Sequence, residues 1–195
     1  ETFIFIGGGN NFRYDIYPSY KSNRKDKNPL IPVIADYMLD ELNAIPSKGA
    51  EADDYVYDAV QLSEGNCVVA AIDKDVLYNC PDIPFYDYRS YKDVLGTFKS
   101  ISKLESRLAI ASQVVIGDSG DGIPNVLSND DTFITEGAKQ TPLRQTRIDD
   151  WIQGAENLRH LMPEELYRNY QRNKKLIDLT EIPEGIQKSI INNYD

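Results

Sequence analysis

Imidazole and thiol side chains are scarce in this 195-residue chain, which has one histidine, His160, and two cysteines, Cys67 and Cys80. A single histidine argues against a His-rich zinc site and against nucleophilic chemistry that needs a histidine base. The cysteines lack metal-ligand spacing and lie in or beside an apolar stretch. They read as buried thiols of a reducing compartment rather than as a bridge. Long apolar runs are missing too: none approaches the ~20 residues that span a bilayer, and the start does not read as a signal peptide. No membrane partner is expected. Positive charge is also short, with 21 Lys and Arg against 31 Asp and Glu and a formal net charge of −10. That balance disfavours tight unaided binding to nucleic acid, because phosphate contacts need cations.

What is present is ordinary in bulk and uneven in distribution. A hydrophobic fraction of 41% and a charged fraction of 27% suit a globular chain, and the length suffices for one α/β domain with a proper core. Residues 13–27 hold five basic residues against two acidic, and 140–175 hold seven against five. Residues 49–60 hold four acids and no base. Cations bound at such acids would offset part of that charge and turn the cluster towards phosphate.

Seven acids fall in three tight clusters, each beside an apolar segment: Glu51, Asp53 and Asp54; Asp73 and Asp75; Asp118 and Asp121. The last pair lies in Gly117-Asp-Ser-Gly-Asp-Gly-Ile-Pro124, where a helical turn would put both carboxylates on one face. Like charges held together favour a cation between them, and oxygen-only donors suit a hard divalent ion such as Mg²⁺ or Mn²⁺. Each cluster also has a plainer explanation. Acids in a first helical turn are favoured by the macrodipole, and Asp73 or Asp75 could simply cap a helix.

The coarse pattern is α/β. Thr2–Ile6 and Cys67–Ile72 read as buried parallel strands, and Ile83–Tyr86 as a shorter one. Pro29 to about Ile45 predicts an amphipathic helix with Ile31, Ile34, Met38, Leu42 and Ile45 in the core. Further helices are expected over 51–62 and over 105–116, the latter with Leu108, Ala111, Val114 and Val115 inward. A helix over 144–161 would turn Ile148, Trp151, Ile152 and Leu158 to the core. Asp58 and Asp87 match no motif and read as surface acids; Tyr86, Tyr88 and Tyr91 read as surface packing.

Four blocks in order carry a family resemblance. Phe12-Arg13 with Tyr17-Pro-Ser-Tyr-Lys-Ser-Asn-Arg24 comes first, then Glu51-Ala-Asp-Asp54, then Asp73-Lys-Asp75, then Gly117 to Pro124. Together they resemble the structure-specific 5′-nucleases: flap endonucleases, the 5′-nuclease domain of bacterial DNA polymerase I, and bacteriophage 5′-exonucleases and RNases H. The end, Glu165 to Ile186, resembles the C-terminal helical region of RNases H from T-even phages. The resemblance implies a PIN-like fold, with a central, mostly parallel sheet flanked by helices over residues 1–124. A helical, DNA-binding region over 125–195 would follow. It implies that Glu51, Asp53, Asp54, Asp73, Asp75, Asp118 and Asp121 hold two Mg²⁺ or Mn²⁺ ions in one site at the carboxyl edge of the sheet. Lys21 and Arg24 would act on the scissile phosphate. Arg13, Tyr20, Lys21, Arg24 and Lys25 would contact DNA, with Tyr20 stacking on a base.

The implied activity is divalent-metal-dependent 5′-to-3′ exonuclease or flap endonuclease hydrolysis in phage replication or repair. Implied partners are DNA with 5′ ends, flaps or branches, RNA–DNA hybrids, and a single-strand-binding protein or polymerase. The setting would be the cytoplasm of a bacterial host, and the state a monomer. Some features depart from the family. Gly7 and Gly8 follow the first strand where an Asp is usual, and an earlier Asp-bearing strand is expected upstream of Glu1. The segment Asn125–Asp131 lacks the G-x-G turn that binds K⁺, and 26 residues between Arg24 and Glu51 leave little room for a threading arch. The rival readings are a catalytically impaired DNA-binding accessory homologue and a PIN-like single-strand RNase.

Overall fold

The computed structural model describes residues 1–24, 28–91, 94–154 and 157–193. In chain order the elements begin β1 (Phe5–Ile6), α1 (Arg13–Ile16), α2 (Leu30–Leu42), β2 (Ile45–Pro46), α3 (Ala52–Leu62), β3 (Val69–Ala70) and α4 (Lys74–Asn79). They continue with β4 (Phe85–Tyr91), β5 (Val94–Lys99), α5 (Lys103–Ile116), α6 (Gln145–Gln153), α7 (Leu158–Leu161), α8 (Glu164–Ile177) and α9 (Glu184–Ile191). Among the described residues no helix is long and apolar enough to cross a membrane.

The chain divides into two compact units: residues 1–12, 26–106 and 182–195, and residues 13–25 and 107–181. This differs from the boundary at 124 read from the sequence. The basic block belongs with the helices after residue 107, and the last helix belongs with the first unit. Motif order along a chain does not reveal such exchanges, because they depend on which apolar faces find each other.

In the first unit β1 pairs with β2 in parallel, and β3 pairs in parallel with β4, which runs antiparallel to β5. The described strands therefore form a two-stranded and a three-stranded sheet rather than one central sheet. The α/β class and the parallel pairings are as expected, but the strands are short. Ile6 runs into three glycines, and Ala70 lies only three residues before the helix cap at Asp73. Val69 and Phe85 are register partners on one face of the sheet and are buried with Val60, Val76, Cys80 and Ile83. Burial pushes the Cys80 thiol up to about 12, and Cys67 is also unbridged, so both are structural thiols.

The helix expected over 29–45 forms, but its apolar stripe is not core. Ile31, Ile34 and Leu42 are exposed, while Met38 and Ile45 are half-buried. The sequence Leu-Ile-Pro-Val-Ile is apolar on every side, so its periodicity selects no face. On α5, Val114 and Val115 are buried as expected, whereas Leu108 is exposed. The helix expected over 144–161 forms as two, α6 and α7.

The second unit is helical. Val115, Val126, Ile148, Trp151, Leu158 and Met162 make one core cluster. Tyr17, Tyr20, Val114, Ile123, Leu176 and Ile177 make another. Two asparagines one turn apart on α8 join these clusters to the backbone. Asn169 Nδ2 donates to the carbonyls of Val126 (3.0 Å) and Ser128 (3.3 Å), and Asn173 Nδ2 to those of Val114 and Pro124, both at 2.9 Å.

Candidate functional site

The acids of the first unit gather around Asp53. Glu51 and Asp54 form a capping box at the start of α3, with the Glu51 N–H donating to Asp54 Oδ2 at 2.8 Å. Asn11 Nδ2 adds a bond to Glu51 Oε1 at 3.2 Å, and Asp54 is fully buried. Helix initiation thus accounts for these two acids. Asp73 has a similar local task, capping α4 by accepting the Asp75 N–H at 2.9 Å.

Asp53 has no part in the box, and its surroundings are hostile to charge. Burial first, then the carboxylates of Asp73, Glu51, Asp54 and Asp75, push its carboxyl up to about 7. Five acids from two helix starts are close enough to feel one another, with Lys74 Nζ 3.6 Å from Asp75. Among the described residues, no group of three or more His, Cys, Asp or Glu side chains stands at the spacing of a formed metal site. What is present is a self-repelling set of hard oxygen donors, and that donor chemistry fits a divalent cation of the Mg²⁺ or Mn²⁺ type.

In the second unit the basic block and the acidic turn fold as one piece. α5 ends at Gly117, whose positive φ (+76°) starts the turn; a Cβ there would overlap the Ile123 carbonyl. The turn is not helical. Asp118 and Ile123 form a two-way bridge, and Asp118 Oδ1 accepts the N–H groups of Gly120 (2.8 Å) and Asp121 (3.3 Å). Gln113 Nε2 donates to Asp118 Oδ2 at 3.3 Å. The two carboxylates therefore face different partners instead of sharing a helix face.

Asp121 is the hub for the basic block. It pairs with Arg24, lies 3.5 Å from Lys21 Nζ, and accepts the Tyr20 hydroxyl at 2.8 Å. Backbone contacts lock the same junction: Lys21 N–H donates to the Asp121 carbonyl at 2.8 Å, and Asn23 Nδ2 to the Ser119 carbonyl at 2.7 Å. Arg24 stays half exposed, while Lys21 is mostly covered and lies over the Tyr20 ring at 4.8 Å.

The remaining candidates divide between core and surface. Tyr20 is buried in the second unit's core, so its ring packs rather than meeting a base. Arg13 is buried, and its Nε donates to the Leu176 carbonyl at 2.9 Å, tying α1 to α8. Lys25 lies outside the described residues. Two acids read as surface residues are buried instead. Asp58 accepts Gln187 Nε2 at 3.0 Å through Oδ1, while Oδ2 has no partner, and burial followed by nearby Asp54 raises its carboxyl. Asp87 accepts Arg89 Nη2 at 2.6 Å and Lys99 Nζ at 2.8 Å, which hold its carboxyl far below the usual range. Neither arrangement is legible locally, since Gln187 is 129 residues from Asp58 and Lys99 lies across a hairpin from Asp87.

Comparison with known proteins gives two findings. Residues 105–195 match the family model described as T4 RNase H, C terminal. The whole chain resembles the bacteriophage T5 D15 protein co-crystallised with metal ions, at 16% identity and a TM-score of 0.59, covering 98% of this chain and 84% of that one. It is similar to a T5 5′-exonuclease mutant at 16% identity and a TM-score of 0.56, covering 100% and 85%. A pseudo-enzyme–product complex of the T5 D15 flap endonuclease with DNA and metal ions matches at 16% and 0.53, covering 98% and 83%. Residues 105–195 are thus similar to the C-terminal region of T4 RNase H, and the chain has the fold of the T5 5′-exonuclease.

Proposed function

We propose that the protein is a divalent-metal-dependent 5′-nuclease that hydrolyses phosphodiester bonds near the 5′ ends of DNA or RNA–DNA primers. The crowding of Asp53 by four other carboxylates carries this reading, because a folded protein gains little from such repulsion unless a cation relieves it. In this assignment Asp53, Asp73 and Asp75 hold Mg²⁺ or Mn²⁺, with Glu51 and Asp54 behind them, and Asp118 and Asp121 are cation ligands at their own turn. When bound, two such ions would activate a water and stabilise the leaving oxygen. The half-exposed guanidinium of Arg24, together with Lys21, meets a substrate phosphate and stabilises the charge that builds on it. Asp121 orients both cations until phosphate arrives.

The proteins that this chain resembles are called RNase H, flap endonuclease and 5′-exonuclease, and it is cleavage and the substrate cleaved that separate this reading from its rivals. A chain kept only for binding has little use for carboxylates near phosphate, which they repel. The test is a 5′-labelled flap, a nicked duplex and an RNA–DNA hybrid, each incubated with Mg²⁺ or Mn²⁺. Release of short 5′ products that stops in EDTA supports the proposal. Binding to branched DNA with no cleavage in either metal establishes the accessory-module reading, and cleavage confined to single-stranded RNA establishes the RNase.

Binding itself is expected to be weak and steeply salt-dependent, given the net charge of −10. Lys21→Ala with Arg24→Ala should flatten the plot of log affinity against log salt by a slope of about 1–2. An unchanged slope in an anisotropy titration from about 50 to about 200 mM salt, over which the Debye length roughly halves, would refute these phosphate contacts.

A further inference from the structure

Three donors of different kinds converge on the Asp121 carboxylate. Tyr20 donates its hydroxyl to Oδ2 at 2.8 Å, Lys21 Nζ lies 3.5 Å from the same oxygen, and Arg24 Nη2 pairs with Oδ1. A guanidinium, an ammonium and a phenol are also what a phosphate takes, because its oxygens accept from each as carboxylate oxygens do. The donors are fixed from behind. The Tyr20 ring is buried, set edge-on to Tyr14 at 5.8 Å, and Lys21 Nζ lies 4.8 Å over it. Lys21 has a φ of +58°, a left-handed conformation that residues with side chains rarely adopt.

The turn does not need these contacts to stay in place. The Asp121 carbonyl accepts the Lys21 N–H at 2.8 Å, the Asp121 N–H donates to Asp118 Oδ1 at 3.3 Å, and the Ser119 carbonyl accepts Asn23 Nδ2 at 2.7 Å. Bonds that leave out the Asp121 side chain therefore hold the turn against the basic block. That side chain can rotate off the cations with the junction intact. The opening lies on the Arg24 side, where the side chain is 51% exposed against 17% for both Lys21 and Asp121. An incoming phosphate meets Arg24 first and finds the rest of the site filled by a carboxylate of the chain itself. Asp118 is no rival for that position, since its carboxylate is committed to Gly120, Asp121 and Gln113.

We propose that Asp121 is an internal competitor for a phosphate site made by Tyr20, Lys21 and Arg24: the phosphate of a substrate binds by displacing its carboxylate. Tyr20 contributes its hydroxyl, and its ring stays in the core. The site is open only in the fraction of molecules in which Asp121 has let go, and the apparent affinity is reduced by that fraction. This deepens the nuclease reading and rests on it, for the released carboxylate is then free to serve as the cation ligand which that reading makes of Asp121.

The test is anisotropy of 3′-fluorescein tetrathymidylate, with and without a 5′-phosphate, in EDTA so that no cleavage is involved. Asp121→Asn should tighten binding roughly fivefold or more, as expected of a site that is open about a fifth of the time or less. Equal gains for the two oligonucleotides put a backbone diester in the site, a gain confined to the phosphorylated one puts a 5′ monoester there, and either upholds the competitor. Asp131→Asn removes the same charge from an exposed position of the same unit, and it should change affinity less than about twofold. With Lys21→Ala and Arg24→Ala in place the gain should vanish, either as equal affinities or as no binding with or without Asp121→Asn. The proposal is overturned if Asp121→Asn binds as the parent does or more weakly, if Asp131→Asn gains as much, or if the gain survives without the two cations. Absence of binding by both the parent and Asp121→Asn overturns it too. Should Asp121→Asn melt early, NMR of the parent decides instead. Inorganic phosphate should move the carboxyl carbon resonance of Asp121 and leave that of Asp131 in place, and an Asp121 signal that stays still sinks the competitor. Cleavage in Mg²⁺ or Mn²⁺ is read separately. A parent that cleaves while Asp121→Asn binds no tighter defeats the competitor alone, and an inactive parent whose variant binds tighter defeats the nuclease reading alone.

Discussion

Asp53→Asn is expected to make the metal-free protein more stable and the metal-dependent protein inactive. With its carboxyl raised to about 7, Asp53 stays protonated in the folded chain at pH values where the unfolded chain has already released that proton. Stability is therefore greatest below about pH 4 for this group. It falls as pH rises towards 7, and the full cost is present above that. At pH 8 in EDTA, removing the charge should recover roughly 1–3 kcal/mol, a figure kept low because water reaches part of the site. Asparagine retains the shape but supplies only a weak, neutral oxygen to a cation. Divalent-metal affinity should fall about a hundredfold, and any metal-dependent cleavage with it. Melting curves in EDTA at pH 5 and pH 8, with and without Mn²⁺, check each part. In the parent, Mn²⁺ should raise the melting temperature more at pH 8 than at pH 5, because metal and proton compete for the same oxygens. An Asp53→Asn protein that melts below the parent in EDTA at pH 8 would show that the carboxylate is structural, and the metal assignment would lose its main support.

That contrast marks how far the sequence could be read. The three acidic clusters stand out along the chain, yet spacing cannot separate an acid that starts a helix from one that faces its neighbours. Glu51 and Asp54 are in a capping box, Asp73 is a cap, and only packing shows Asp53 as the crowded one. The resemblance assigns the basic block to phosphate and the acidic turn to metal, and does not pair the two. What the motif hid is that Asp121 reaches back 97 residues to Arg24 while Asp118 turns into its own loop. α2 shows the opposite failure. Its helical period is plain, but period reports amphipathicity and not coverage, and most of its large apolar side chains are exposed. Asp58, Asp87, Asn169 and Asn173 were missed for a shared reason: a buried polar residue is tolerated only where distant groups satisfy it, and those groups leave no local mark. A weak signal did exist for the asparagines, which recur at i and i+4 on a helix whose next apolar residues, Leu176 and Ile177, are core.

Asn173→Ala is expected to cost about 2–4 kcal/mol and to disturb the acidic turn from its ends. Asn173 is fully buried, and each end of its amide is committed. Nδ2 donates to the Val114 carbonyl, in the last turn of α5, and to the Pro124 carbonyl, where the turn ends. Oδ1 accepts Arg172 Nε at 3.0 Å and Nη2 at 2.8 Å. Asn173 thus holds both ends of the segment that carries Asp118 and Asp121. Truncation to alanine strips a donor from two carbonyls and an acceptor from Arg172, and it leaves a small void. Asn173→Asp tells a hydrogen-bond role from a packing role. An ionised aspartate matches the volume and could strengthen the Arg172 contact, but it offers no proton to either carbonyl. It should therefore destabilise at least as much as alanine does at pH 7, and part of the loss should return near pH 4, where the carboxyl can donate. Urea unfolding at both pH values, followed by Trp151 fluorescence from the same unit, measures this directly. Full stability for Asn173→Asp at pH 7 would mean that the carbonyls find other donors and that the amide is only filling space.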